Sequence, residues 1–137
     1  MGDYDEENQL VADRWVRVLA DYSCEGIWQK DGIPADIDEL PVSDELRKQF
    51  LSWQEEYNRL WDIYLEDEEY RPEPFPGWNA FSAWGLELAK AVKVQLLDWT
   101  VIYYDEEKSW ESSYDDTGKR KPRSYIEYEI TLNGNNK

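Results

Sequence analysis

Apolar residues recur at steps of three and four in two stretches of the chain and at steps of two in others. From Leu46 onward, Phe50, Trp53, Tyr57, Leu60, Trp61 and Tyr64 follow the helical period, which predicts a helix over residues 44–65 with one aromatic face. Ser43 precedes it with a hydroxyl able to accept the free N–H groups of a first turn, and Asp44 and Glu45 stand against the positive helix end. Apolar spacing of this kind is what burial requires, so the stripe reads as core rather than as a stacking platform for a ligand. A second run, Phe81, Trp84, Leu88, Val92 and Leu96, predicts a helix over residues 80–96 capped by Asn79, with Ala80, Ala83, Ala89 and Ala91 permitting close helix approach. Between the two helices, Arg71-Pro72-Glu73-Pro74-Phe75-Pro76-Gly77 reads as an extended connector, because closely spaced prolines cannot continue a helix.

Strand signals follow. Residues 98–104, Asp98-Trp99-Thr100-Val101-Ile102-Tyr103-Tyr104, put β-branched and aromatic side chains on both faces and predict a strand buried on both sides. In residues 124–132, Ile126, Tyr128, Ile130 and Leu132 alternate with Glu127, Glu129 and Thr131, a strand with one wet face. Asp115-Asp116-Thr117-Gly118 is a turn sequence, so Asp105 to Arg123 reads as a long, charged hairpin connection. Near the N-terminus, Val11, Trp15, Val18 and Tyr22 fit helical steps while Val16, Val18, Ala20 and Tyr22 alternate; the density of strand formers favours a strand at 14–22. Ser23 to Leu40, with Gly26, Gly32 and Pro34, reads mostly as loop. Three strands and two helices out of strict alternation predict one α+β domain over residues 1–137, its helices packed on a small antiparallel or mixed sheet.

Composition narrows the chemistry. The 137 residues carry 31 Asp+Glu against 15 Lys+Arg, a formal net charge of -16, with no histidine and one cysteine, Cys24. Imidazole bases, histidine-containing zinc sites and internal disulfides are thereby excluded. No apolar stretch approaches the ~20 residues that span a bilayer, and the acidic opening residues are unlike a signal peptide, so a cytoplasmic location is expected. Residues 1–70 hold 20 acids and 6 bases (6 − 20 = -14), whereas residues 71–137 hold 11 acids and 9 bases (9 − 11 = -2). One basic run, Lys119-Arg120-Lys121-Pro122-Arg123, answers the acidic ones. Phosphate backbones and anionic membranes are repelled by such a balance, so neither nucleic acid nor membrane is an expected partner, and a basic protein is.

Carboxylate pairs such as Glu55-Glu56 are abundant enough to arise by chance, and Asp36-Ile37-Asp38-Glu39 lacks the order of a calcium loop. Cys24 has no histidine to activate it and Glu25 beside it. No catalytic residue, metal ligand or cofactor is therefore assigned, and an enzyme is not expected. The candidates for partner binding are acids in predicted loops, Asp36, Asp38, Glu39, Glu66, Asp67, Glu68, Glu69, Asp115 and Asp116, with Trp28, Trp78 and Trp110 as apolar anchors. Trp and Tyr dominate protein hot spots, and acids meet a partner's Arg and Lys. Trp53, Trp61, Trp84 and Trp99, by contrast, lie on periodic faces or in the central strand and read as core.

Five segments, Ala20-Asp21-Tyr22-Ser23, Gly26-Ile27-Trp28, Leu40-Pro41-Val42-Ser43 with Leu46, Trp53-Gln54, and Asp98 through Glu106, together resemble small acidic bacterial immunity proteins of polymorphic and contact-dependent toxin systems. The resemblance touches residues 20–106. It implies a cytoplasmic antitoxin that binds and blocks one toxin domain, and it carries over no contact residues. The charge balance leads independently to the same place, since a toxin that cleaves nucleic acid is basic and its inhibitor acidic. A nucleic-acid mimic blocking a DNA-binding host defence protein would use the same electrostatics. A monomer or weak homodimer is expected.

Overall fold

A computed structural model describes residues 8–21, 24–66, 77–109 and 114–132. In chain order its elements are helix α1 (Gln9–Asp13), strand β1 (Trp15–Val18), the short strands β2 (Ile27–Trp28) and β3 (Pro34–Ala35), a 3-10 turn at Ile37–Glu39, helix α2 (Asp44–Glu66), helix α3 (Trp78–Gln95), strand β4 (Thr100–Tyr104), helix α4 (Glu106–Ser109), a 3-10 turn at Arg123–Tyr125 and strand β5 (Glu127–Glu129). The strands form one mixed sheet in the order β3-β2-β1-β4-β5, with β1 and β4 parallel and the other neighbours antiparallel. A parallel pair needs a crossover, and α2 and α3 supply it. The α+β reading and both long helices hold, with α2 ending one residue beyond the predicted 65.

The core lies between the sheet and the two long helices. Val16, Val18, Ile27, Val101 and Tyr103 meet Phe50, Trp53, Tyr57, Phe81, Leu88 and Val92 there, all buried. Trp53 is the hub: its ring stacks on Phe81 at 4.8 Å, meets Phe50 edge-on at 6.2 Å, and its indole N–H donates to the Phe81 carbonyl at 3.1 Å. Ser43 caps α2 as expected, its Oγ accepting from Leu46 N at 3.2 Å. It also receives Gln95 Nε2 at 3.3 Å, which ties the start of α2 to the end of α3. Trp99 is buried like Trp53, while Trp61 and Trp84 are partly buried against the core.

The structure corrects several boundaries. The strand expected at 14–22 is only Trp15–Val18, because Arg14 (φ 50) turns the chain out of α1 and Leu19 N already bonds Gly26 O in the following turn. The loop expected from Ser23 to Leu40 contains the β2–β3 hairpin, closed by Gln29 N donating to Ile33 O at 2.8 Å with Gly32 at φ 91. Strands of two residues leave too short a pattern for periodicity to register. β4 is not buried on both faces: Val101 and Tyr103 are buried, whereas Thr100, Ile102 and Tyr104 are partly exposed. α3 starts at Trp78, not 80, behind Gly77 at φ 100, and no side chain caps it, so Asn79 is in the first turn rather than at the cap. The expected connector at 71–76 lies outside the described residues. The strand expected at 124–132 is Glu127–Glu129, preceded by the 3-10 turn.

Burial also sets the alkaline limit of the fold. It raises the Tyr103 hydroxyl well above its ordinary value, with Asp105 adding to the effect, and raises Tyr57 likewise with Glu106 next. Tyr128 is pushed up to about 12 by burial and then by Asp105, whose Oδ2 accepts its hydroxyl at 3.3 Å. A raised folded-state value means stability is fully present below the unfolded tyrosine value, about 10, and is lost as pH rises through the folded values. Far-UV circular dichroism and tyrosinate absorbance, followed together above pH 10, are expected to show these three ionising as the protein unfolds. Ionisation of all ten tyrosines near pH 10 with the fold intact would contradict it.

Candidate functional site

Strand alternation that sends Val16, Val18 and Tyr103 into the core sends Trp15, Arg17, Ile102 and Tyr104 to the opposite face of the sheet. The register sets Pro34, Trp28, Arg17, Ile102 and Glu129 in one row across all five strands. Arg17 pairs through Nε with Glu127 Oε2 and lies 5.0 Å from the centre of the Trp15 ring. Arg123 Nε reaches the other oxygen of Glu127 at 2.9 Å. Two guanidinium groups therefore share one carboxylate whose side chain is only 9% exposed. Trp28 is in strand β2 rather than a loop, half-buried, its indole N–H donating to Leu19 O at 2.7 Å, so its ring position is fixed by the turn it bridges.

The acids at 36–39 stand on the 3-10 turn. Asp36 and Asp38 are exposed on either side of buried Ile37, and the turn is held by Glu25 Oε1, which accepts from Ile37 N at 2.6 Å. Glu39 is half-buried, and burial, then Asp36 and Glu25, raises its carboxyl above the usual range. It is the least available charge of the three. Glu66 closes α2 and Trp78 opens α3, so neither backbone is the loop first expected. Asp67, Glu68, Glu69 and Trp110 lie outside the described residues. Asp115 builds its own turn: Oδ1 accepts from Thr117 N at 2.9 Å, Thr117 Oγ1 at 2.6 Å and Lys119 N at 3.0 Å, and the Thr117 hydroxyl foremost holds the carboxyl below its ordinary value. Asp116 beside it is exposed.

Reactive chemistry finds little support in the described side chains. Burial raises the Cys24 thiol, whose sulfur sits 3.6 Å from Gln54 Oε1. Buried Asp105 accepts from Lys108 N at 3.2 Å as well as from Tyr128, a structural pairing that ties α4 to β5. Among the described residues no cluster of three metal-binding side chains forms, and no helix is long and apolar enough to cross a membrane.

Two surface features were not legible in the sequence. Arg120, Lys121 and Arg123 of the basic run meet Lys108 from α4 around Tyr125 in a shallow cleft of about 160 Å³. The outward row on the sheet escaped as well, because β4 read as two-sided.

The structure is thus an α+β domain of strong negative charge with partly exposed aromatic side chains on the outer face of its sheet. The chain belongs to the Serratia CdiI immunity protein-like family, which matches residues 14–106, more than half its length. The match runs from the residue before β1 to the first residue of α4 and leaves β5 and the basic cleft outside. No curated protein matches the chain.

Proposed function

We propose that the protein is a non-enzymatic cytoplasmic antidote that binds a basic toxin domain, a nuclease, and blocks its substrate groove. The observation that carries this reading is the excess of acids in residues 1–70, -14 out of a total of -16, within a chain of an immunity protein family. A field of that strength steers a cationic partner into encounter, and an exposed acid such as Asp36 or Asp38 acts mainly on the association rate. Trp28, Glu39, Glu66 to Glu69, Trp78, Trp110, Asp115 and Asp116 complete the proposed contact set. Trp28 is the anchor best suited to the role, because its backbone and indole N–H are already fixed and little freedom is lost on binding.

The test requires a candidate toxin domain, to be sought in the gene directly upstream of this one. Asp36→Lys/Asp38→Lys is expected to slow association by roughly tenfold at low salt and much less at high salt, with the melting midpoint unchanged. An association rate indifferent to the reversal would remove the steering mechanism. Displacement of the protein from a DNA-binding protein by duplex DNA, with no affinity for the neighbouring toxin, would instead support a nucleic-acid mimic.

A further inference from the structure

The basic cleft is out of keeping with the rest of the molecule. In a chain with twice as many acids as bases, Lys108, Arg120, Lys121 and Arg123 bring four positive charges to one depression floored by Tyr125. Two of the ammonium groups rest on aromatic faces. Lys108 Nζ lies 5.0 Å from the Tyr125 ring centre and 5.4 Å from that of Tyr128, and Lys121 Nζ lies 4.6 Å from Tyr125. Attraction to the ring face positions each ammonium at the cleft. Arg120 stands 6.0 Å over Tyr114 in the same manner. Three nearby carboxylates have partners of their own: Asp115 is held in its turn, Asp105 accepts from Lys108 N and Tyr128, and Glu127 is shared by Arg17 and Arg123, so Arg123 reaches the cleft already ion-paired.

Resting on the immunity reading above, we infer that this cleft is an anion subsite of the toxin interface and takes a carboxylate side chain of the toxin. A carboxylate is favoured over a nucleic-acid phosphate because a polyanion must bring many charges past the -16 of the whole chain. A basic protein bearing a local acid is drawn in by the acidic half and engages the cleft only at contact, within the screening length of about 10 Å. The protein then reads both signs on its partner. The cleft lies beyond the family match, which ends at residue 106.

The sign of one charge reversal decides the matter. If the toxin responded only to net charge, Lys108→Glu/Lys121→Glu, which makes an acidic protein more acidic, would bind a basic toxin more tightly. The subsite predicts the reverse: at least a tenfold loss of affinity for the upstream-encoded toxin domain, with Lys108→Arg/Lys121→Arg within about twofold of wild type. A second variant, Arg120→Glu/Lys121→Glu, alters residues away from the Tyr128 contact and is expected to lose affinity with an unchanged melting midpoint. One Asp→Lys or Glu→Lys change in the toxin should restore binding to Lys108→Glu/Lys121→Glu. Unchanged or tighter binding by both reversed variants would overturn the subsite while leaving the immunity reading standing. Failure of the wild-type protein to bind that toxin would overturn both.

Discussion

Replacing Trp53 with Ala is expected to cost about 3–5 kcal/mol, a large share of the roughly 5–15 kcal/mol that stabilises a domain of this size. Trp53 is 1% exposed and is the point at which α2, α3 and the sheet meet. Its removal forfeits the stack on Phe81, the edge contact with Phe50 and the indole hydrogen bond to Phe81 O, and leaves a large cavity that the neighbouring helices fill only in part. Urea unfolding followed by circular dichroism measures the effect. A variant that retained the wild-type midpoint would show that the aromatic stripe of α2 is not the core.

Gly85→Ala is the second large effect, and its sign is the informative part. In an exposed helix interior this change stabilises by up to about 1 kcal/mol, because glycine is the poorer helix former. Here Gly85 lies in α3 where Trp53 crosses, and an added Cβ would overlap Trp53 Cζ2 and stand 2.9 Å from both Trp53 Cε2 and the Tyr103 hydroxyl. Neither neighbour is free to yield: Trp53 is held by Phe81, and Tyr103 donates to Ser82 O at 2.6 Å. The substitution is therefore expected to destabilise by about 1–3 kcal/mol, as overpacking does. The same denaturation experiment reads it, and a more stable alanine variant would mean that α3 sits farther from α2.

The two helices were legible because each carries several turns of one period, and the Leu46 to Tyr64 stripe does lie along α2 on its buried side as far as the described side chains run. Ser43 was legible for a chemical reason, its hydroxyl matching the open N–H groups that follow. β2 and β3 were not, since two residues apiece give alternation nothing to repeat, and their pairing depends on turns at Gly26 and Gly32 whose positive φ the sequence only hints at. The two-sided reading of residues 98–104 failed because Ile102 and Tyr104 are as apolar as Val101 and Tyr103 yet point away from the helices. Gly85 was read past altogether; its need is set by Trp53, 32 positions earlier (85 − 53 = 32). Among the proposed contacts, Asp36 and Asp38 are exposed, Asp36 just before the 3-10 turn and Asp38 within it, whereas the Asp115 carboxylate accepts from its own turn. The basic cleft needed the fold, because Lys108 and Lys121 come together only when α4 and the chain leading into β5 are docked.

The parallel pairing of β1 with β4 has a consequence for how the protein is made. Trp15 sits opposite Thr100, 85 positions later (100 − 15 = 85), so β1 leaves the ribosome long before its partner exists. Until then its inner edge can pair only with something foreign, and the nascent chain is most exposed to aggregation while α2 and α3 are being synthesised. The high sequence separation also slows the final closure, since a long loop must be ordered before the central strands reward it. The sheet is complete only once β5 has emerged as well, so every strand pairing but that of the β2–β3 hairpin and its contact with β1 awaits residues beyond Thr100.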